Sequence, residues 1–225
     1  MARIPATEIT GIYGALLKTI SRKMIGQVPE SAGVFWHYPA VLKDLMGFGR
    51  KVDSWNRLDP DLASFAGMAA AASIGCSFCL DFHYFLTHNR GLDETKAREV
   101  PRWRESTVFS PLERRVLEYA EAMSATPPAV TDELSAALLE DLGAPALLEL
   151  TARIGAMSAT PPAVTDELSA ALLEDLGAPA LLELTARVGA MNMNARANIA
   201  LGIRSAEFSA SCGLPPLADR AVAPA

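Results

Sequence analysis

The stretch LASFAGMAAAASIGCSFCLDFH, residues 62–83, decides the fold. Its first part, Leu62 to Ser73, is dominated by alanine, the strongest helix former, and holds no β-branched residue. Gly67, Ala71 and their neighbours give this helix a small-residue face that another helix can approach closely. Gly75 breaks it, and a second helix is predicted from about Cys76 to His88. Cys76 and Cys79 lie three residues apart and His83 four beyond, so all three fall at one-turn intervals on a helical face. Leu62 to Leu80 is free of charge over 19 residues, close to the length that spans a bilayer. Its content of Ala, Ser and Gly, with a thiol pair, predicts a buried helix instead.

The surrounding chain agrees with a helical protein. At 225 residues and 50% hydrophobic it can bury a sizeable core, and residues 1–225 are expected to form a single all-α domain. A net charge of −6, a pI near 5.1 and the lack of a basic stripe exclude a nucleic-acid face. Three cysteines are too few for a disulfide scaffold, and a CxxC pair in such a chain reads as redox-active or metal-binding in a reducing, cytoplasmic setting. The segment Met1 to Glu8 contains no apolar signal core.

Residues 8–25 place Ile9, Ile12, Leu16, Leu17 and Ile20 at helical spacing, an apolar stripe expected to cover a core or a subunit partner. Residues 26–33 read as a linker, and the aromatic run Phe35 to Tyr38 leads into a helix through Leu42, Leu45, Met46 and Phe48. His37 among those aromatics reads as structural. Asp59-Pro60 starts the alanine-rich helix, and a short helix follows over 93–100, with a loop over 101–105. Ser110-Pro111-Leu112-Glu113 combines a serine cap, a proline at the first position and a glutamate at the capping-box position.

Residues 123–156 read MSATPPAVTDELSAALLEDLGAPALLELTARIGA, and residues 157–190 repeat them with one change, Ile154 to Val188. The 34-residue period is that of tetratricopeptide arrays, but that motif's landmarks are absent and only two copies exist. This is a tandem duplication, expected to add one helical hairpin to the domain. Each copy reads as a helix pair: Thr131 caps the first, Leu134, Leu138, Leu139 and Leu142 form its apolar face, Gly143 ends it, and Pro145 starts a second with Leu147, Leu148, Leu150 and Ile154 inward. Copy two runs directly into a helix with Met193, Ala197, Ile199, Ala200 and Ile203 inward, so copy two is expected in the parental position and copy one outside it.

A cysteine at a helix N-terminus or beside an imidazolium loses its proton more readily, from about 8.5 to about 3.5–7.5. A thiolate attacks a peroxide oxygen to leave a sulfenic acid, and a thiol three residues away condenses with it to a disulfide. His83 can serve as base for the thiol or acid for the leaving oxygen. Two other readings compete: Cys76, Cys79 and His83 as zinc ligands completed by Cys212, His37 or His88, or a structural pair of buried cysteines.

The residues from Gly75 to His83 after an alanine-rich helix, the start Leu92-Asp93-Glu94-Thr95, the run Ser110 to Ala120 and the ending Asn192 to Leu201 together resemble the alkylhydroperoxidase D-like, or carboxymuconolactone decarboxylase, family. The resemblance covers residues 35–205 apart from the additional copy. It implies an all-helical homo-oligomer with Cys79 as the peroxidatic thiol, Cys76 as the resolving thiol and His83 in the proton relay. It implies a small hydroperoxide substrate and an external thiol or dithiol donor, with no metal or bound cofactor. Disulfide reduction is the alternative use of the same thiol pair. The alternatives on the same scaffold are a non-catalytic oligomer with structural thiols and a lactone decarboxylase, whose members lack the thiol pair. One departure stands out: where redox members carry a relay glutamate, this chain has Ser64, with Asp61 and Asp81 as the nearby acids.

Overall fold

The computed structural model describes residues 3–88, 91–157 and 165–201. Every regular element among them is helical: α1 (Gly11–Ile25), α2 (Glu30–Phe35), α3 (Pro39–Asp53), α4 (Pro60–Ile74), α5 (Ser77–His88), α6 (Glu94–Glu99), α7 (Pro111–Ser124), α8 (Asp132–Met157) and α9 (Asp166–Ala200). The short α2 occupies part of the expected linker, where Thr7 donates from its backbone to Gly33. A Cβ at residue 33 would lie 2.9 Å from that of Ala6, so glycine permits this close crossing. The loop expected over 101–105 begins as a 3-10 turn, Val100–Arg102. No helix among the described residues is long and apolar enough to cross a membrane.

The alanine-rich α4 lies at the centre. Asp59 accepts from the Asp61 and Leu62 backbone N–H groups, and Pro60 fills the first position. Phe65, Ala66, Met68 and Ala70 are buried to within 1% and pack against Val116, Leu117 and Tyr119 of α7 in the main core. Ser110 and Glu113 form the reciprocal capping box at the start of α7, and Glu113 also pairs with Lys96 of α6 at 2.7 Å.

The duplication is placed contrary to expectation. Copy one, as α8, enters the core: Leu138, Leu150, Thr151 and Ile154 are fully buried against α4 and α7. Copy two, as the first part of α9, is the additional hairpin and packs Leu181 and Leu182 on Ile4, with Val34 and Tyr38 alongside. Copy one follows α7 after only a short connection, from Ala125 to Thr131. Continuity with the C-terminal helix, on which the opposite placement rested, is satisfied because α9 runs unbroken from copy two to Ala200. Three side chains expected inward are exposed: Leu139, Leu148 and Ile199. Most of the apolar stripe of α1 is also exposed, including Ile12, Leu16 and Ile20, while Ile9 and Leu17 are buried. Ile203 and Cys212 lie outside the described residues.

Two polar anchors fix α8. Thr151 donates its hydroxyl proton to the Leu147 carbonyl, so Tyr119 donates to Thr151 across a buried 2.9 Å contact. Glu149, 6% exposed, accepts from the backbone N–H groups of Arg57 and Leu58 at 2.6 and 3.2 Å and pairs with Arg153 at 2.9 Å. Burial alone would raise the Glu149 pKa; the hydrogen bonds from Arg57, Arg153 and Leu58 outweigh it and hold the carboxyl below its ordinary value.

Because the folded-state pKa of Glu149 is depressed, the stability it contributes is present above the ordinary glutamate pKa and is lost as pH falls through the lower folded value. Urea unfolding should show Glu149→Gln destabilised by about 1–3 kcal/mol at pH 7, with a shallower acid dependence below about pH 4.5 than the parent. Deleting residues 123–156 joins copy two to Ala122 in the sequence context copy one now has. The shortened protein should remain helical by circular dichroism and melt cooperatively, with the groove losing about 0.5–1.5 kcal/mol for the valine in place of Ile154.

Candidate functional site

The thiol turn is built by the end of α4. Gly75 adopts φ +80°, its N–H bonds to the Ala72 carbonyl, and the Cys76 N–H reaches back to Ala71 at 3.0 Å. This pair of bonds is the Schellman termination, which favours glycine at the left-handed position. Cys76 thus closes α4 and opens α5. Its carbonyl accepts from Leu80, and its Sγ accepts from the Cys79 backbone N–H at 3.2 Å. A sulfur in the capping position at a helix N-terminus sits where the backbone favours negative charge.

Cys76 and Cys79 are joined as a disulfide, both partly buried. Phe78 and Phe82 stack beside them with ring centroids 6.0 Å apart, and Phe78 is 53% exposed. The pair therefore lies at the surface, flanked by an apolar platform.

His83 follows one turn after Cys79 and rests on Gly67 of α4. A Cβ at residue 67 would meet imidazole Cε1 and Nε2 at 3.4 Å, an ordinary van der Waals contact, so the ring sits directly over this position. Nε2 lies 3.3 Å from Sδ of Met157, at the end of copy one. A pocket of about 200 Å³ opens beside His83, with Ser64, Asn56, Asp53 and Arg153 among its polar lining and Trp55 and Leu86 among its apolar lining. Arg153 is held there by Glu149 and by the Trp55 carbonyl, to which its Nη2 donates at 3.0 Å.

The sequence candidates distribute as follows. Cys79 and His83 lie on α5, and Cys76 immediately precedes its first residue. Ser64 faces the His83 pocket, its hydroxyl donating to the Pro60 carbonyl at 2.8 Å. Neither Asp61 nor Asp81 lines that pocket. Asp61 points towards Asp59, Lys96, Glu113 and Asp93, and burial with the neighbouring Asp59 charge raises its pKa. The acid in the pocket is Asp53, from the end of α3, which the sequence analysis did not select; an exposed acid at a helix end thirty residues from His83 carries no local signal. Met157 and Arg153 were missed for the same reason. Of the proposed distant zinc ligands, His37 contacts the Pro5 carbonyl at 2.8 Å and His88 pairs with Glu94 at 2.6 Å. Among the described residues no three His, Cys, Asp or Glu side chains converge to hold a metal ion.

Comparison with known proteins agrees with this architecture. Residues 39–122 match the carboxymuconolactone decarboxylase family, which spans the segment from α3 to α7. "Uncharacterized protein YnjA" of Escherichia coli strain K12 is 43% identical over 98 residues, 44% of this chain and 54% of that protein, so the chain spans about half the length of the curated relative it matches. A crystal structure of the debrominase Bmp8, a cysteine-to-alanine variant in complex with 2,3,4-tribromopyrrole, superposes with a TM-score of 0.60 at 14% identity, covering 90% of this chain and 97% of that one. That likeness is one of fold.

Gly75→Ala tests the turn. A left-handed conformation costs a residue with Cβ about 1–2 kcal/mol, so the melting temperature should fall by about 2–8 °C in a thermal melt, and thiol reactivity should change with it.

Proposed function

From a segment, residues 39–122, that matches the carboxymuconolactone decarboxylase family, we propose a thiol-dependent hydroperoxide reductase that also reduces disulfides. The observation that carries this reading is the CxxC pair at a helix N-terminus, close enough to form a disulfide, with an imidazole one turn on. The family includes both peroxidases and decarboxylases, and the thiol pair favours the redox branch.

In the proposed cycle the Cys79 thiolate attacks one oxygen of a hydroperoxide. The O–O bond breaks, the alcohol leaves with a proton supplied through His83, and Cys79 becomes a sulfenic acid. The Cys76 thiolate then attacks the Cys79 sulfur, expelling hydroxide that is protonated to water. An external dithiol restores the pair: one of its thiolates attacks Cys79 and Cys76 departs as thiolate, then the donor's second thiolate attacks the donor sulfur of this mixed disulfide, releasing Cys79 as thiolate and leaving the donor as its disulfide. The Cys79 N–H directed at Cys76 Sγ supports Cys76 both as attacking thiolate and as leaving group. The reaction calls on no metal or bound cofactor.

Ser64 cannot pass a proton as a carboxylate does. Asp53, lining the same pocket as His83, is the acid available to orient or recharge the imidazole. The Phe78–Phe82 platform suits a hydroperoxide with an apolar body. The exposed stripe Ile12, Leu16, Ile20 and Met24 on α1 is the surface that a homo-oligomer would cover, and the setting is the reducing cytoplasm.

Hydroperoxide consumption with a dithiol donor should fall by at least about 10²-fold in Cys79→Ser, as expected on removing a nucleophile. Unchanged turnover there would refute the proposal. Activity on a lactone or a halogenated ring that survives loss of both cysteines would favour a different chemistry on this scaffold.

A further inference from the structure

We propose that the groove between α4 and α7 accepts either copy of the repeat, so that within one chain copy two exchanges with copy one as occupant of the core. The copies differ at one position in 34, so each groove contact of copy one has a ready counterpart: Leu150 and Leu184, Thr151 and Thr185, Ile154 and Val188. Two of these counterparts lie at the surface, whereas Leu181, the counterpart of Leu147, would have to leave Ile4. Leu184 and Val188 are 39% and 40% exposed, while Leu150 and Ile154 are fully buried.

Copy two also has the required shape. Both copies bend at a left-handed glycine with matching geometry, φ 74° and ψ 162° at Gly143 against φ 73° and ψ 163° at Gly177. Both are capped by threonine at 3.2 Å, Thr131 to the Leu134 N–H and Thr165 to the Leu168 N–H. Glu183 and Arg187 form at the surface the same i,i+4 pair that Glu149 and Arg153 form in the groove. Docking copy two therefore needs no refolding of the hairpin, although the helix continuous with it must release the contacts that Arg196 makes with the Met123 and Ala125 carbonyls.

Three further considerations set the balance. The methylene missing at Val188 favours copy one roughly two- to tenfold. Looping out a 34-residue copy costs little more than a shorter loop, because closure entropy grows only with the logarithm of length. The displaced copy one, in turn, carries the Asp132, Leu147 and Leu148 counterparts of the residues with which copy two now meets Arg3 and Ile4. The identity extends one residue beyond the repeat, from Met157 to Met191, so either occupant supplies a methionine at the position that meets His83.

The test uses the full-length chain with Leu150→Asp, Leu184→Asp and the double substitution. Exchange predicts that each single variant keeps its helical signal and a cooperative melt within a few degrees of the other, while the double variant loses both. Loss of cooperative melting in Leu150→Asp alone, with Leu184→Asp unaffected, would overturn the proposal by making copy one the sole occupant. Rescue of Leu150→Asp only at concentrations where it becomes dimeric would overturn it too, because the exchange would then run between chains. An independent readout is the methyl NMR signal of Ile154. Exchange predicts a major and a minor resonance, with the minor one growing two- to fivefold in Val188→Ile; a single unshifted resonance in both proteins contradicts it.

Discussion

Close approach to α4 is the constraint on which the molecule depends. A helix built from Ala66, Gly67, Ala69, Ala70 and Ala71 presents little bulk, so α5, α7 and α8 can all pack against it. The same smallness lets the His83 ring rest directly on Gly67. A larger side chain on the face of α4 that meets α5 would separate the thiol helix from its support. The chemistry is thus tied to packing: the residue that ends α4, Gly75, is also the one that aims the first cysteine at the start of α5.

A second tie runs through Glu149. Its carboxylate gathers the Arg57 and Leu58 N–H groups and Arg153, joining copy one to the connection between α3 and α4. That connection forms one wall of the pocket beside His83, and Arg153 lines it. A buried carboxylate is tolerated here because charge-assisted hydrogen bonds replace the water it has lost. The hairpin that fills the core therefore also shapes the site, and the duplication touches both.

The sequence spoke clearly where the signal is local. The Asp59 and Ser110 caps, the glycine stop at Gly75, the bend at Gly143 and the thiol spacing depend on residues within a turn or two of each other, and all appear in the structure. It was silent or misleading where the answer is tertiary. Two copies that differ at a single position cannot reveal which one enters the groove, and an apolar stripe on α1 does not say that most of it stays exposed. Leu139 and Leu148 each follow a buried leucine, Leu138 and Leu147, and of two adjacent leucines periodicity does not tell which is buried. In the site, the residues sharing α5 were legible, whereas Asp53, Arg153 and Met157 come from distant segments and carry no motif.

The proposed cycle stands or falls on oxidation beginning at Cys79. The most direct test is to react reduced Cys76→Ser with one equivalent of hydroperoxide in the presence of dimedone and to locate the adduct by peptide mass spectrometry. A dimedone adduct of the sulfenic acid is expected on Cys79. No adduct at Cys79, with the corresponding adduct forming on Cys76 in Cys79→Ser, would contradict it.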